Sequence, residues 1–254
     1  MPRQVKPVIV LITLVVISPP AFAGSKDVAV VNNVNGDGVG WCTLLVNNGD
    51  MCTLFPKEGP TASLKPFDVV IDMSDVWTDP AESLADFLRA GRTVITAKDA
   101  PAALGIESNP TVQAWIGAGA SAAGPLDLVT VASDPILGDI PPGTFITDCG
   151  AGACLALSDL GPGAKVLAAF PDGGAGIMRN IWEGSVTVFI TDNISPGSTN
   201  GSKIILNAVR ARELTIPTVS HWGLLVMALA LVACGSIIAA KRRIQESAIG
   251  KPER

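Results

Sequence analysis

Apolar and polar positions fall into three regimes along this chain. At each end the apolar residues run on without a polar face. Between the ends they come in short β-branched runs and in stripes at helical spacing, separated by Gly, Pro and Asn. The C-terminal run, Trp222 to Ala240, is 19 residues without a charge, and as a helix rising about 1.5 Å per residue it covers roughly 28 Å, close to the hydrocarbon thickness of a bilayer. Trp222 stands at one boundary, where an indole favours the interface, and Lys241, Arg242 and Arg243 follow as a stop-transfer cluster. The pattern predicts one transmembrane helix with residues 244–254 as a cytoplasmic tail. A buried core helix is the competing reading, opposed by the missing polar face.

The N-terminal run, Val8 to Ile17, follows Arg3 and Lys6 and leads into Pro19, Pro20 and the small-x-small triplet Ala21, Phe22, Ala23. This is the layout of a secretory signal peptide over residues 1–23, cut by signal peptidase after Ala23. An uncleaved anchor is the alternative, opposed by the proline pair and the short apolar core. The mature body, residues 24–214, is then expected outside the cytoplasm, tethered to the membrane by its C-terminal helix.

Within the body, "DVAVVNN" from Asp27 and "FDVVIDM" from Phe67 read as buried parallel strands. The Gly- and Asn-rich connection between them, which holds Cys42 and Cys52, has no periodicity that assigns it. Next, Asp79 is a helix cap, Pro80 a first-turn residue, Glu82 the third residue after the cap and Gly91 a helix stop. Leu84, Phe87 and Leu88 share one face of that helix. With the strand Thr93 to Thr96, residues 67–96 form a strand, helix, strand unit with a right-handed crossover. Asn109 and Pro110 open a short helix carrying Val112, Trp115 and Ile116. "LDLVTVA" and "KVLAAF" are further strands, and "GIMRNIWEGSVTVFITDN" is a hairpin turning at Glu183 and Gly184. From Ser202 to Glu213 an amphipathic helix places Ile204, Ile205, Ala208 and Val209 on one stripe. The sum is an α/β fold, a flavodoxin-like three-layer sandwich with a mostly parallel sheet, one antiparallel hairpin and one C-terminal transmembrane helix.

Charge narrows the partners. Residues 24–214 hold 11 Lys and Arg against 21 Asp and Glu, a formal charge of −10, and no histidine. Such a surface offers no basic patch to displace counterions, so nucleic acid is excluded as a partner. The single histidine, His221, sits beside the membrane segment with nothing in reach to make it a general base. Cys42 with Cys52 and Cys149 with Cys154 suit two local disulfides in an oxidising compartment, with free buried thiols as the alternative. Their spacings and the lack of histidine argue against a zinc set, and no metal or cofactor is expected.

Chemistry in the body would rest on carboxylates. Asp72 and Asp75 follow one strand and Asp99 the next, so their loops converge at the carboxyl edge of the sheet, where α/β ligands bind. A cation site or an acid pair acting on a glycoside is one reading; solvated, turn-forming acids are the other. "NVNGDGVG" begins like a calcium loop but starts with Asn33 and reaches Leu44 where a Glu is needed, so it fails as an EF-hand.

"FDVVIDMSDVWTDPAESLADFLRAGRTVITA", "SDPILGDI" and "GSVTVFITDN" resemble the class I glutamine amidotransferase-like superfamily, particularly its trehalose-utilisation-like branch. That resemblance implies a nucleophile elbow, Gly-x-Cys-x-Gly, after the strand ending near Thr96, with a later histidine as base. The chain has "TAKDAPAAL" there, with neither Cys nor Ser in the turn, so glutamine hydrolysis by that chemistry is excluded. At the C-terminus, Ile216, Pro217, Thr218, Trp222 and Gly223 resemble the IPTL-type sorting motif, with Val219 in place of leucine. The resemblance covers residues 215–243 and implies an exosortase-like processing enzyme as partner. The expectation is an exported envelope protein, membrane-anchored or released to the cell surface after processing. Its body would bind or support rather than catalyse, its ligand being unknown. A carboxylate-dependent or metal-assisted hydrolase of envelope carbohydrate is the alternative.

Overall fold

The computed structural model describes residues 24–74, 76–77, 80–97, 118–122, 127–148, 154–182, 184–191 and 194–215, together with Leu229, Ala230 and Ala233. Its centre is an 11-stranded mixed sheet with the order β2-β1-β3-β4-β11-β10-β9-β6-β7, while β8 pairs with β10 and with β5. The strands are β1 Asp27–Val31, β2 Met51–Phe55, β3 Val69–Asp72, β4 Thr93–Ala97, β5 Ala118–Ala122 and β6 Asp127–Thr130. They continue with β7 Phe145–Asp148, β8 Cys154–Asp159, β9 Lys165–Ala169, β10 Ala175–Trp182 and β11 Ser185–Ile190. The helices are α1 Gly38–Asn47, α2 Pro80–Arg89, α3 Thr199–Val209 and α4 Ala211–Thr215.

Strands β2, β1, β3, β4 and β11 run parallel to one another. Both faces of β3, β4 and β11 are buried, as their nearly continuous β-branched sequences require, because a parallel sheet has helices on each side. Alternate residues feed two cores. Val28, Val30, Ile71 and Ile95 pack with Trp41 and Leu45 of α1 and with Ile204, Ile205 and Ala208 of α3. Ala29, Val31, Val70 and Val94 pack on the other side with Leu84, Phe87 and Leu88 of α2. Each large side chain so buried contributes about 1.5–3 kcal/mol.

The unit expected over residues 67–96 is β3, α2 and β4, in register from Val69 opposite Thr93 to Asp72 opposite Thr96. Gly91 closes the end of α2 at φ 73°, a left-handed turn that a side chain resists. The expected hairpin is β10 and β11, with Trp182 opposite Ser185 and Gly184 at φ 84°. The last amphipathic helix begins at Thr199, earlier than its apolar stripe suggests, because Ser198 caps it by accepting a 3.0 Å hydrogen bond from the Gly201 amide.

Three features depart from the sequence expectation. The stretch between the first two strands holds a helix, α1, and a parallel edge strand, β2, rather than an irregular connection. Antiparallel pairing extends well past one hairpin, since β9, β6, β7, β8 and β5 all join that way. Finally, β5, β7 and β8 are strands that the sequence did not single out. The expected helix after Pro110, the signal peptide and most of the apolar C-terminal run lie outside the described residues; among those described, no helix is long and apolar enough to cross a membrane.

A disulfide, Cys42–Cys52, ties α1 to β2 with Cα atoms 5.5 Å apart. Cys154 is also disulfide-bonded, and Cys149, its expected partner, lies outside the described residues. At the amino edge of the parallel strands, the two ends of the body meet. Arg210 donates from Nη2 to both oxygens of Asp50 at 3.0 Å, and Asp50 Oδ1 also accepts from the Lys26 amide at 3.1 Å. Beside them Lys26 pairs with Glu213, and Arg92 with Asp68 at 2.8 Å.

Candidate functional site

The carboxyl edge of the parallel half is where strand ends and loops leave room for ligands. Strand β3 ends there at Asp72 and β4 at Ala97, just past Thr96. Residues in register on parallel neighbours point to the same face, so Val31, Asp72, Thr96 and Phe189 form one row across four strands on the α2 side. The row is apolar at its ends and polar in the middle.

Asp72 and Thr96 are each 1% exposed. Asp72 Oδ1 accepts from the Ser74 amide at 3.0 Å, while Asp72 Oδ2 and Thr96 Oγ1 have no hydrogen-bond partner among the described residues. Two unsatisfied buried polar atoms in register are costly, and such groups mark places where a protein gives up stability for something else. Burial pushes the Asp72 carboxyl up to about 7, countered only in part by the Ser74 hydrogen bond. The carboxyl therefore holds its proton well above the usual carboxylate range.

The loop after β3 fixes this carboxyl. Ser74 Oγ donates to the Lys57 carbonyl and accepts from the amides of Val76 at 3.0 Å and Trp77 at 2.9 Å. Trp77 in turn covers Gly59. Of the three expected carboxylates the structure places Asp72 alone; Asp75 and Asp99 lie outside the described residues. Among the described residues no three His, Cys, Asp or Glu side chains come together as a metal cage. Thr96 was missed in the sequence because a threonine in a strand reads as a β-former; its alternation onto the face of Asp72 was the available signal.

Other clusters are built for stability. Asp134, in the "SDPILGDI" segment, has no exposed side-chain surface. Its Oδ2 accepts from Arg179 Nε at 2.8 Å and Lys165 Nζ at 3.0 Å, and its Oδ1 from the Ile136 amide at 3.2 Å. Burial pushes this carboxyl up, but the bonds from Arg179 and Lys165 outweigh it and hold it below the ordinary range. A groove of about 470 Å³ runs between the loop before β3 and the outer side of α2, lined by Leu64, Lys65, Asp86, Phe87 and Arg92. It lies toward the amino edge and away from Asp72.

The sorting-motif residues Ile216, Pro217, Thr218, Trp222 and Gly223, and the cluster Lys241 to Arg243, lie outside the described residues, but the sequence there is diagnostic. Residues 216–243 match the IPTL-CTERM motif. No curated protein matches the chain. Solved structures do match the body. A cytoplasmic protein of Salmonella typhimurium superposes with a TM-score of 0.55 at 10% identity, covering 73% of this chain and 98% of that one. A candidate GMP synthase component of Thermoplasma acidophilum gives 0.52 at 10% identity, covering 74% and 94%. A candidate ThuA-like protein of Bacteroides uniformis gives 0.50 at 12% identity, covering 77% and 94%. At these identities the likeness is one of fold alone.

Proposed function

We propose that the chain is an exported, membrane-tethered envelope protein that carries a C-terminal sorting signal, and that its amidotransferase-like body binds or supports rather than catalyses. The observation that carries the proposal is the IPTL-CTERM match over residues 216–243, preceded by a folded body and ending in the basic residues Lys241, Arg242 and Arg243. The disulfide between Cys42 and Cys52 agrees with an oxidising compartment. A non-catalytic body is favoured by the sequence after β4, which has no Cys or Ser where the elbow belongs, and by the lack of histidine in residues 24–214. Cell fractionation with mass spectrometry of both mature termini tests it. The expected product begins at Gly24 and has lost Arg254; a cytosolic product that keeps Met1 overturns the proposal.

Asp72 favours a second reading, a hydrolase that uses carboxylates, because a buried carboxyl with a free oxygen and a pKa near neutrality is what general acid or base catalysis needs. On this reading, Asp72→Asn abolishes turnover of envelope glycans by the purified protein. If the wild type shows no turnover, the binding reading stands alone.

A further inference from the structure

Among the described residues, the amide and carbonyl groups along the outer side of β2 have no strand to meet. The Met51 amide donates to the Lys26 carbonyl at 2.8 Å and the Asn32 amide to the Phe55 carbonyl at 3.1 Å, so Met51, Thr53 and Phe55 turn their backbone groups toward β1. By the two-residue period of a strand, Cys52 and Leu54 aim theirs at the open edge. Natural edge strands are usually blunted by charge, proline or a covering loop. β2 has no charge or proline within its five residues, whereas β7 at the far end of the sheet path carries Asp148.

The neighbouring helix adds to the exposed surface. Gly38, Trp41 and Leu45 of α1 face inward, leaving Val39 and Val46 on its outer side at 55% and 56% exposure. With Cys42 and Leu54 they line a shallow groove of about 290 Å³ alongside the edge, and Met51 stands out at 59% exposure. From Gly38 to Phe55 the one formal charge is Asp50, which is buried and paired with Arg210. On a body with a formal charge of −10, this is a face that sets no unpaired charge against its copy, so two like-charged copies meet there with less repulsion than across an acidic face.

We infer that β2 pairs with β2 of a second copy of this chain, antiparallel about a two-fold axis at Thr53. That register uses every outward group: Cys52 exchanges both hydrogen bonds with Leu54 of the partner, and Leu54 does the same with Cys52, giving a closed isologous contact. Thr53 meets its own copy in a non-hydrogen-bonded pair, a favourable cross-strand match. Met51 lies opposite Phe55, and the apolar grooves beside α1 come together across the axis. Because the strands pair antiparallel, the two amino edges, which carry the tethers, point in opposite directions. The contact therefore suits copies freed from one bilayer or held on facing surfaces.

Sedimentation of the processed protein released from cells, and of the full chain in detergent, tests this. The wild type is expected at twice the monomer mass, and Leu54→Lys is expected to weaken association by at least about tenfold, since it places a charge beside the axis in each copy and is tolerated in the monomer at a 40% exposed site. As an independent readout, Thr53→Cys is expected to form a disulfide with its copy on mild oxidation. Cα atoms in such a pair lie about 4.5 Å apart, within disulfide range, and the side chain points away from the Cys42–Cys52 face. A wild type that stays monomeric, or an association that ignores Leu54→Lys and gives no Thr53→Cys cross-link, overturns the proposal.

Discussion

Asp72 and Thr96 stand opposite each other in register on neighbouring parallel strands, both closed to solvent, and among the described residues neither Asp72 Oδ2 nor Thr96 Oγ1 is hydrogen-bonded. A measurable pH dependence follows. The folded-state pKa of Asp72 is raised from 3.8 to about 7, so between those values the folded chain keeps a proton that the unfolded chain has lost. Stability therefore falls as pH rises through this window and levels off above it. The loss across this window is a few kcal/mol at most, on the order of 4 kcal/mol. In urea unfolding, Asp72→Asn is expected to flatten this slope and to be more stable than the wild type at pH 8, with the difference shrinking toward pH 5. Equal slopes in the two proteins would show that the Asp72 carboxyl titrates normally.

Asp134 gives the opposite sign, since its folded pKa is lowered. Its contribution is present above the unfolded pKa and disappears as pH falls through the folded one. Asp134→Asn is expected to remove that acid-side loss and to lower neutral-pH stability by about 2 kcal/mol, because the charge-assisted bonds from Arg179 and Lys165 weaken together. Comparing unfolding midpoints at pH 7 with a series stepped down from pH 4 to pH 2 checks both effects.

Gly59 allows no side chain. Its φ is 92°, and a Cβ there would stand 2.1 Å from Trp77 Nε1. Gly59→Ala combines left-handed strain with a clash against a buried indole, and the expected loss is about 3 kcal/mol or more. A red shift of tryptophan emission, as Trp77 is pushed toward solvent, is the companion signal.

Arg210 and Asp50 are 160 residues apart, and Asp50 has no exposed side-chain surface. Arg210→Met keeps the packing of the stem but leaves the carboxylate with the Lys26 amide as its remaining partner among the described residues. The expected cost is about 3 kcal/mol, and adding Asp50→Asn should recover part of it, because an unpaired buried charge is the larger penalty. Full additivity of the two changes would mean that the pair is uncoupled.

Replacing Cys42 and Cys52 together with serine removes a cross-link spanning 10 residues. Loop-closure entropy puts the loss at about 2.5 kcal/mol. Thermal unfolding of the double variant, set against the wild type with and without reductant, measures it.

The parts of the fold legible in the sequence were those where local chemistry and period agree. Leu84, Phe87 and Leu88, bounded by Pro80 and Gly91, identify α2 from neighbours alone. Helix α1 escaped because both of its sides are apolar: Trp41 and Leu45 inward, Val39 and Val46 outward, with Gly38 and Gly40 weakening the helical signal. The feature that hid it is the one that leaves a face to be covered. β5 is made of alanine, glycine and serine and has no apolar alternation to read. At the candidate site, Asp72 was visible as an acid at a strand end. The isolation of its Oδ2 was not, because that depends on what the strands on either side bring to the same row. The pairing of Asp50 with Arg210 was equally out of reach, since sequence distance carries no trace of it.

The body's two ends share the amino edge, and that decides what release would do to it. Ala211 is the last buried residue described before the sorting motif, and Arg212, Glu213 and Leu214 are exposed. The Lys26 to Glu213 clasp lies wholly within the described body, so a cut within or beyond Ile216 leaves both of its partners on the same chain. Asp72 and Thr96 close the opposite ends of the same strands, so the described body ends, at Thr215, on the pole away from them.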